Sequence, residues 1–431
     1  MRFWRKISRP NFLRLAQIFF GLALFALPLR IRSLVYFGES YAGGFFDEYL
    51  AFFVQASEIL FLISFVLLGL AFVFAQVEPE IPSPRLLAPF ALLLAVEILV
   101  VPFAHDPLLA LLEFWRTLEF AAAAFFIASG IFGTRSVVRI LAAAIFFQSA
   151  LAVAQFFAQG DLGLHFFGES FFDTTTFNIA KTSAANGETL IRGMGTLAHA
   201  NILGGLAALT LVALTNYSRK HPLVYFVSAV IFAGLFFSFS RAAALAFFLA
   251  LGALVIFQFR RRIFSAAIAV GLFALLLIFF GAPFFARFAE SAPSSPTRSA
   301  QIVTAVTLAR ENMLGTGRGS FTAALVTKFP QLDFYAVQPV HNFFVLKTAE
   351  ESIFTAVAWV VIFGTLAFFA FQKQKFEALA LVVAAFTLAN FDHYFSTNFS
   401  GEAFLWLAFG IVVSAISAKP KFEKSAVKSA Q

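Results

Sequence analysis

The sequence predicts an all-α, polytopic integral membrane protein with about 12 transmembrane helices. Its 431 residues are 60% hydrophobic and only 13% charged, whereas a soluble domain is roughly 45–50% apolar and about 25% charged. Its apolar runs reach the length of a transmembrane helix, about 20 residues. Membrane barrels instead alternate apolar and polar residues within short segments. These observations exclude a soluble enzyme, a disordered chain and a nucleic-acid-binding module.

The apolar runs place the predicted spans near residues 12–29, 49–75, 86–104, 107–132, 136–158, 197–215, 222–238, 241–258, 263–284, 342–370, 376–392 and 402–418. The basic segment from Met1 to Arg14 precedes the first span, and we interpret the two as a retained first helix rather than a cleaved signal peptide. The chain has no cysteine, which excludes disulfides, thiolate metal sites and a cysteine nucleophile.

The distribution of basic residues predicts the orientation in the membrane. With a cytoplasmic N-terminus, about 19 of the 31 Lys and Arg residues lie on the inner side and about 10 on the outer side, while Arg116 and Lys347 fall inside spans. The inner loops are also shorter, so their density of positive charge is much higher, as the positive-inside rule requires. Both termini are therefore predicted to be cytoplasmic.

Two long outer segments, near residues 159–192 and 285–340, carry most of the Gly, Ser, Thr and Pro outside the spans. Because binding and catalytic groups concentrate on loops, we expect the functional site to face the periplasm or cell exterior. This organisation divides the chain into four parts. Residues 1–190 hold the N-terminal helices and the first outer loop, and residues 191–370 form a core with the large outer loop. Residues 371–418 hold the C-terminal helices, and residues 419–431 form a basic cytoplasmic tail. The sequence contains no phosphate-binding loop, no His-Glu-x-x-His zinc pair and no Asp-x-Asp clamp.

The first candidate site lies at the mouth of the sixth span. Arg192 stands just outside the apolar run, and a guanidinium binds phosphate with planar, bidentate hydrogen bonds. Gly193 and Gly195 allow close backbone approach, and a helix N-terminus follows that favours an anion. The alternative is an interfacial arginine on lipid headgroups. His199 and Asn201 are either donors in the same site or satisfied polar groups at a helix start.

The second candidate is the short turn Ser238-Phe239-Ser240-Arg241 between two spans. A serine can cap the next helix, and the turn holds Arg241 at the outer membrane surface. An arginine on the outer side opposes the positive-inside trend, which favours a functional role.

The third candidate closes the large outer loop. A glycine-rich segment contains Gly315, Gly317 and Arg318, and His341-Asn342 then opens the tenth span. The dipole of a helix N-terminus disfavours protonation of His341, and a neutral imidazole is what a general base requires. An interfacial polar histidine is the alternative. Nine residues further on, Glu350 is an intramembrane carboxylate, which makes it a functional candidate by default.

Two further polar groups have mainly structural interpretations. Glu113, Arg116 and Glu119 in the fourth span are spaced to contact one another, and we interpret them as a buried ion cluster, with phosphate binding by Arg116 as the alternative. Asp392-His393 ends the eleventh span on the outer side and is a second possible base.

Together these residues resemble the O-antigen ligase family over roughly residues 191–370. The family has an Arg followed by a Gly-His-Pro-Asn-like stretch, which here is Arg192 with Gly195, His199 and Asn201. Ala200 replaces the usual proline. A Ser-Arg turn that opens a span in the family corresponds to residues 240–241 of this chain.

The second half of the family pattern lies in the large outer loop and the span after it. The Gly-x-Gly-x-Gly-x-Phe-like segment corresponds to residues 315–321, and the His-Asn pair with Glu nine residues later corresponds to His341, Asn342 and Glu350. The family often has glycine soon after that glutamate, where this chain has Glu351 and Ser352.

The resemblance implies a metal-independent, inverting glycosyltransferase without a cofactor, in the bacterial cytoplasmic membrane. It would move a glycan from an undecaprenyl-pyrophosphate carrier to a hydroxyl of a lipid or glycan acceptor in polysaccharide or lipopolysaccharide biosynthesis. The implied base is His341, and the implied pyrophosphate ligands are Arg192, Arg241 and Arg318. The implied supporting residues are His199, Asn201, Asn342, Glu350, Gly315 and Gly317, with Glu350 orienting His341 or nearby donors.

Alternatives remain open at this point. A polymerase or a protein oligosaccharyltransferase of the same family would share the helical core. A transporter of small anions or lipid-linked glycans is the alternative from another class, with a polar path lined by intramembrane charges, namely Glu58, Glu97, Glu113, Arg116, Glu119, Lys347 and Glu350. Besides these substrates, the expected partner is membrane lipid, with no nucleic acid.

Overall fold

The structure is a computed structural model that describes residues 11–42, 45–177, 179–184, 186–217, 222–289, 298–332 and 336–418. The described chain is mostly α-helical, which confirms the predicted all-α membrane class. The N-terminal segment before residue 11 and the basic tail at 419–431, which contribute to the predicted orientation, lie outside the described residues.

Most helices follow the predicted apolar runs closely, whereas α9, α10 and α14 lie outside them. Their bounds are α1 Phe12–Ala26, α2 Ala56–Val73, α3 Pro84–Val100, α4 Pro107–Ala128, α5 Thr134–Ala158, α6 Ala200–Tyr217, α7 Pro222–Phe237, α8 Arg241–Ala289, α9 Arg298–Glu311, α10 Phe321–Lys328, α11 Phe343–Glu351, α12 Ile353–Gln372, α13 Phe376–Phe391, α14 Tyr394–Thr397 and α15 Phe399–Ser417.

Length and composition allow several of these helices to cross a membrane. Among the described residues, six are long and apolar enough to do so, namely α2, α3, α5, α8, α12 and α15. Shorter apolar helices are α1, α6, α7 and α13. The chain is therefore a multi-pass membrane protein, while the count of 12 spans and the cytoplasmic termini stay predictions.

Helix α15 lies at the centre of the bundle. It packs against α4, α13, α12 and α6, and its residues are buried almost all round. One large apolar cluster joins these helices to α1, α5 and α8. Without a hydrophobic driving force between helices in lipid, dense packing of this kind holds a membrane bundle together, and here it fixes the helix ends that carry the polar side chains.

In the part of the chain that the structure describes, three short antiparallel strand pairs lie outside the helices, and the sequence analysis did not predict them. Strand β1 (Arg32–Tyr36) pairs with β4 (Phe52–Gln55), β2 (Tyr41–Ala42) pairs with β3 (Phe45–Phe46), and β5 (Lys181–Ser183) pairs with β6 (Thr189–Ile191). The predicted second span began at residue 49, but β4 occupies its first part and α2 begins at Ala56.

Helix continuity bears on three of the predicted spans. Helix α8 covers the predicted eighth and ninth spans, but its backbone angles are non-helical at Gln258, where the eighth span was predicted to end, and again at Phe280. The predicted tenth span is instead broken at Ser352, where φ is +96° and ψ is 160°. This region of backbone space is populated almost only by glycine, so the backbone of Ser352 is strained.

We predict that the Ser352→Gly substitution stabilises the protein. Removing the side chain relieves backbone strain of about 1–3 kcal/mol, while the lost contact from Thr355 N–H to Ser352 Oγ is long at 3.4 Å. The midpoint of thermal unfolding in detergent should rise.

The matched control is Ser83→Gly, because Ser83 also precedes a helix but has an ordinary φ of −60°. Glycine adds backbone entropy to the unfolded chain there, so the midpoint should fall or stay the same. Equal shifts in both variants would contradict the strain at Ser352.

Candidate active site

Four separate parts of the chain bring polar side chains together at one place. One part is the segment after β6, another is the start of α6, the third precedes α11, and the fourth connects α13 to α14. We call this group the histidine–arginine cluster, and it consists of Arg192, His199, Asn201, His341, Asp392 and His393. The sequence analysis proposed the first four as one site and considered the last two separately.

Arg192 is held deep within the cluster, with 2% of its surface exposed. Its Nε donates to the carbonyl oxygen of Ser238 at 2.8 Å, and its Nη2 donates to Asn201 Oδ1 at 2.6 Å. The next residue must be glycine, because a Cβ on Gly193 would lie 2.4 Å from the carbonyl oxygen of Ala152. The backbone therefore presses against α5 and directs Arg192 toward the turn between α7 and α8.

Arg241 lies at the other end of the turn between α7 and α8. It is the first residue of α8 and is half-buried. Ser240 Oγ accepts a hydrogen bond from the backbone N–H of Ala243 at 3.4 Å, which caps the helix as predicted. Because Arg192 holds Ser238 and Arg241 lies three residues later, the structure brings the two predicted arginines to one turn.

Asn201 connects the arginine to the acidic part of the cluster. Its Oδ1 accepts from Arg192, and its Nδ2 donates to Asp392 Oδ2 at 3.0 Å. His199 Nδ1 accepts from the backbone N–H of Asn201 at 3.1 Å. Asp392 Oδ1 accepts from the backbone N–H of His393 at 2.9 Å. The buried carboxylate is therefore satisfied by two donors.

Two imidazole rings pack against each other beside this carboxylate. The ring centroids of His341 and His393 lie 5.0 Å apart in a T-shaped arrangement. His341 Nδ1 lies 3.0 Å from Gln301 Oε1, and His393 Nδ1 lies 2.7 Å from Thr397 Oγ1. An amide oxygen can only accept a hydrogen bond, so this contact favours the tautomer in which His341 Nδ1 carries the proton and Nε2 keeps its lone pair.

Burial sets the protonation of these groups. It lowers the pKa of His341 below the usual 6.5, an effect that Asp392 opposes and Arg298 reinforces. It lowers the pKa of His393 to about 4. Burial also raises the pKa of Asp392, but the nearby His393, His341 and His199 outweigh it and hold that pKa below the usual 3.8. At pH 7 both rings are therefore neutral and the carboxylate is ionised.

The same three groups meet the geometric requirement for binding a metal ion. One ligand atom from each of His341, Asp392 and His393 lies within 4.8 Å of the other two. Two imidazoles and a carboxylate suit a first-row divalent ion.

Asn342 positions His341 rather than extending the site. Its Oδ1 accepts from the N–H of Val345 and caps α11, and its Nδ2 donates to the carbonyl oxygen of Asn390 at the end of α13. These bonds fix the start of α11 against the α13–α14 connection, so that His341 faces His393.

Arg318 differs from the expectation that it binds the pyrophosphate beside Arg192 and Arg241. Its exposed fraction is 5%, and its guanidinium donates to Glu402 Oε2 at 2.6 Å and to Thr117 Oγ1. Further carboxylate oxygens of Glu113 and Glu351 lie at 3.7 and 3.8 Å. This arginine joins the large outer loop to α4 and α15, because its charge is paired with carboxylates inside the protein.

The expected ion cluster in the fourth span is present in part: Arg116 pairs with Glu113 but not with Glu119 among the described ion pairs, and it also pairs with Glu58 of α2. Arg116 Nε donates to Glu58 and its Nη1 donates to Glu113, both at 2.9 Å. Nearby, Lys347 pairs with Glu351 within α11. These pairs favour the structural interpretation of Arg116, since its donors are used within the protein.

Glu350, which we expected to orient His341 or nearby donors, contacts the glycine-rich segment. It is 2% exposed, and its Oε1 accepts from the backbone N–H of Gly319 at 3.2 Å. The glycine-rich segment lies against the end of α11, and a Cβ on Gly315 would be 2.2 Å from the carbonyl oxygen of Glu350. With φ at +87°, Gly315 also adopts a backbone conformation that other residues avoid. The segment is thus a docking surface between loop and helix.

Sequence reasoning missed two residues of α9 beside the cluster. Gln301 contacts His341, and Arg298 lies one helical turn earlier, close enough to influence the pKa of both histidines. Neither residue stands in a motif that the sequence analysis singled out. Their position follows from the packing of α9 on α11.

The fold and this cluster define a multi-pass membrane protein that holds a neutral histidine, an ionised aspartate and two arginines at the ends of its helices. Residues 226–360 match the family model described as O-antigen ligase, so the predicted resemblance is confirmed and the chain carries a domain of the O-antigen ligase family. The match includes Arg241, Arg318 and His341, whereas Arg192 precedes it. No curated protein sequence matches the chain.

The family match indicates a glycosyltransferase-like enzyme of surface-polysaccharide synthesis, of the ligase or polymerase type. Proteins of this kind act on lipid-linked glycans and their acceptors, which agrees in kind with the predicted substrates.

We predict that Arg318→Gln destabilises the fold. Removing one partner of a buried ion pair leaves an uncompensated charge, which costs about 3–5 kcal/mol, and here Glu402 would lose its cation. The midpoint of thermal unfolding in detergent should fall clearly. Arg310→Gln serves as the control, because Arg310 is exposed in the last turn of α9 and its loss should leave the midpoint nearly unchanged. An unaffected midpoint in Arg318→Gln would show that the buried pairs contribute little.

Proposed function

We propose that this protein transfers a glycan from an undecaprenyl-pyrophosphate carrier to an acceptor hydroxyl at the outer face of the bacterial cytoplasmic membrane. The observation that carries the proposal is the histidine–arginine cluster. There an ionised Asp392, close to the neutral His341, is linked through Asn201 to Arg192 and to the turn that precedes Arg241.

The arginines act on the leaving group. Pyrophosphate leaves readily once its charge is neutralised, and preorganised guanidinium groups stabilise charge that develops in the transition state. Arg241 is half-buried at the helix start, and we assign it the direct contact with pyrophosphate. Arg192 is nearly inaccessible, so it contributes positive charge from behind the turn and holds that turn in place. Arg318 has a structural role in this proposal.

His341 acts on the acceptor. Its Nε2 lone pair accepts the hydroxyl proton, and the acceptor oxygen attacks the anomeric carbon on the face opposite the pyrophosphate. The new carbon–oxygen bond forms as the bond to the carrier phosphate breaks, so the anomeric configuration inverts. The carrier leaves as undecaprenyl pyrophosphate with the electron pair, and the proton stays on His341. The carboxylate of Asp392 stabilises the imidazolium that forms.

This mechanism needs no metal ion, because the arginines supply the positive charge and His341 supplies the base. A ligase, a polymerase and a protein oligosaccharyltransferase of the family would share these steps and differ in the acceptor. The broken helix at Ser352 and the buried charges near Glu351 are features that also occur in transporters, so transport of a lipid-linked glycan is the second candidate.

We predict that His341→Ala abolishes glycan transfer. Loss of a general base lowers the rate by about 10²–10⁴-fold, while binding of the lipid-linked donor persists. The assay uses purified protein in lipid vesicles with undecaprenyl-pyrophosphate glycan, EDTA and separate lipid, glycan and protein acceptors. The acceptor that becomes modified distinguishes the three family reactions.

His105→Ala is the matched control, because His105 is exposed and pairs with Glu39 away from the cluster. It should transfer glycan at the wild-type rate. Full activity of His341→Ala would overturn the assignment of the base. Loss of activity in EDTA that zinc restores would replace the metal-free mechanism. Movement of the lipid-linked glycan across the vesicle without transfer would favour the transporter.

We predict that kcat/KM rises with pH through the pKa of His341 and then levels off. A base must be neutral in the free enzyme, and burial lowers the pKa of His341 below 6.5, so the rising limb should lie at acidic pH. The charged and titratable groups around it are Asp392, His393 and Arg298. In Asp392→Asn the limb should move to lower pH, because Asp392 raises that pKa, and kcat should fall. A limb that stays at the same pH in this variant would contradict the role of Asp392.

A further inference from the structure

We propose that Gln301 is a positioning residue that fixes the ring and the tautomer of His341. The inference rests on the proposed role of His341 as the base. It assigns to α9, a helix of the large outer loop, a part in the chemistry that the family resemblance did not suggest.

The contact between the two residues is direct and buried. His341 Nδ1 lies 3.0 Å from Gln301 Oε1, and Gln301 is 8% exposed. An imidazole that donates from Nδ1 to a fixed acceptor keeps Nε2 free as the basic nitrogen. Without that acceptor, the ring can rotate or carry its proton on Nε2, and neither state deprotonates an acceptor hydroxyl.

The position of Gln301 is determined by the packing of α9. Ala305 and Leu308 lie on the same face of this helix as Gln301, and both are buried in a small apolar cluster. That cluster also contains Val340, the residue before His341, and Leu346 of α11. The apolar contacts therefore hold α9 against the segment that contains His341, and they keep the Gln301 amide next to the imidazole ring.

A neutral acceptor suits this site better than a carboxylate would. Asp392 already supplies one negative charge close to His341, and the cation of Arg298 opposes it from α9. A second carboxylate at position 301 would favour the imidazolium and remove the base at neutral pH. The amide orients the ring without adding charge.

Two substitutions test the inference. Gln301→Leu removes the acceptor, and kcat should fall about 10–100-fold, the size of loss seen when the partner that orients a metal-bound histidine is removed, with the KM for the donor little changed. Gln301→Glu keeps an acceptor and adds charge, so the acidic limb of the pH profile should move to higher pH by about 1 unit or more, and activity should recover above that limb. Gln372→Glu is the matched control, because Gln372 is exposed at the far end of α12 and should not move the limb.

A second readout does not depend on activity. The chain has only six histidines, so nitrogen NMR of histidine-labelled protein in nanodiscs, assigned with His341→Ala, reports the tautomer of His341 directly. The wild type should show the proton on Nδ1, Gln301→Leu should lose this preference, and Gln301→Glu should raise the pH at which the ring is half protonated.

The outcomes separate this inference from the proposed function. If His341→Ala is active while the NMR signals shift as expected, the positioning is supported and the base assignment fails. Wild-type kcat, pH profile and tautomer in Gln301→Leu would overturn the inference. If Gln301→Leu does not fold, the test rests on Gln301→Glu. In that variant, an unchanged pH of half-protonation of His341 would overturn the inference as well.

Discussion

The architecture of the site depends on one buried carboxylate, that of Asp392. An unpaired carboxylate in such surroundings would be costly, and the protein satisfies it with the amide of Asn201 and the backbone N–H of His393. Because Asn201 also accepts from Arg192, the same interaction sets the distance between the basic and acidic parts of the cluster. The start of α6, the α7–α8 turn and the α13–α14 connection are held in register by this one chain of hydrogen bonds.

The protein keeps its structural charges apart from its chemical ones. Arg318, Arg116 and Lys347 are paired with carboxylates inside the bundle, where a charge without a partner is expensive. They connect α2, α4, α11, α15 and the large outer loop. The groups proposed for chemistry lie instead at helix ends, where lipid-linked substrates can approach.

The sequence predicted the helices well and the candidate site in part. Apolar runs mark most helix positions to within a few residues, since bilayer thickness sets their length. The order of Arg192, Arg241 and His341 along the chain indicated a shared site, because each precedes or opens a span. The ion pair of Arg318 could not be predicted in this way, since its partner Glu402 is 84 residues away. No glycine or proline in the sequence marks the helix break at Ser352. Gln301 is brought to His341 only by tertiary packing, which the sequence pattern does not show.

The break at Ser352 has a consequence for the tolerance of the outer loop to sequence change. Because α11 stops there, the carbonyl oxygens of Ala349 and Glu350 accept from the backbone N–H groups of Thr316 and Gly317, at 2.9 and 2.8 Å. The loop is thus fastened to the bundle by main-chain atoms, which every residue type except proline supplies. Gly315 and Gly317 are exceptions, because a Cβ there would collide with Glu350 or Ala104. Elsewhere in the loop, side chains can change without loss of these main-chain bonds, so a single scaffold can carry many different loop surfaces while His341 keeps its place.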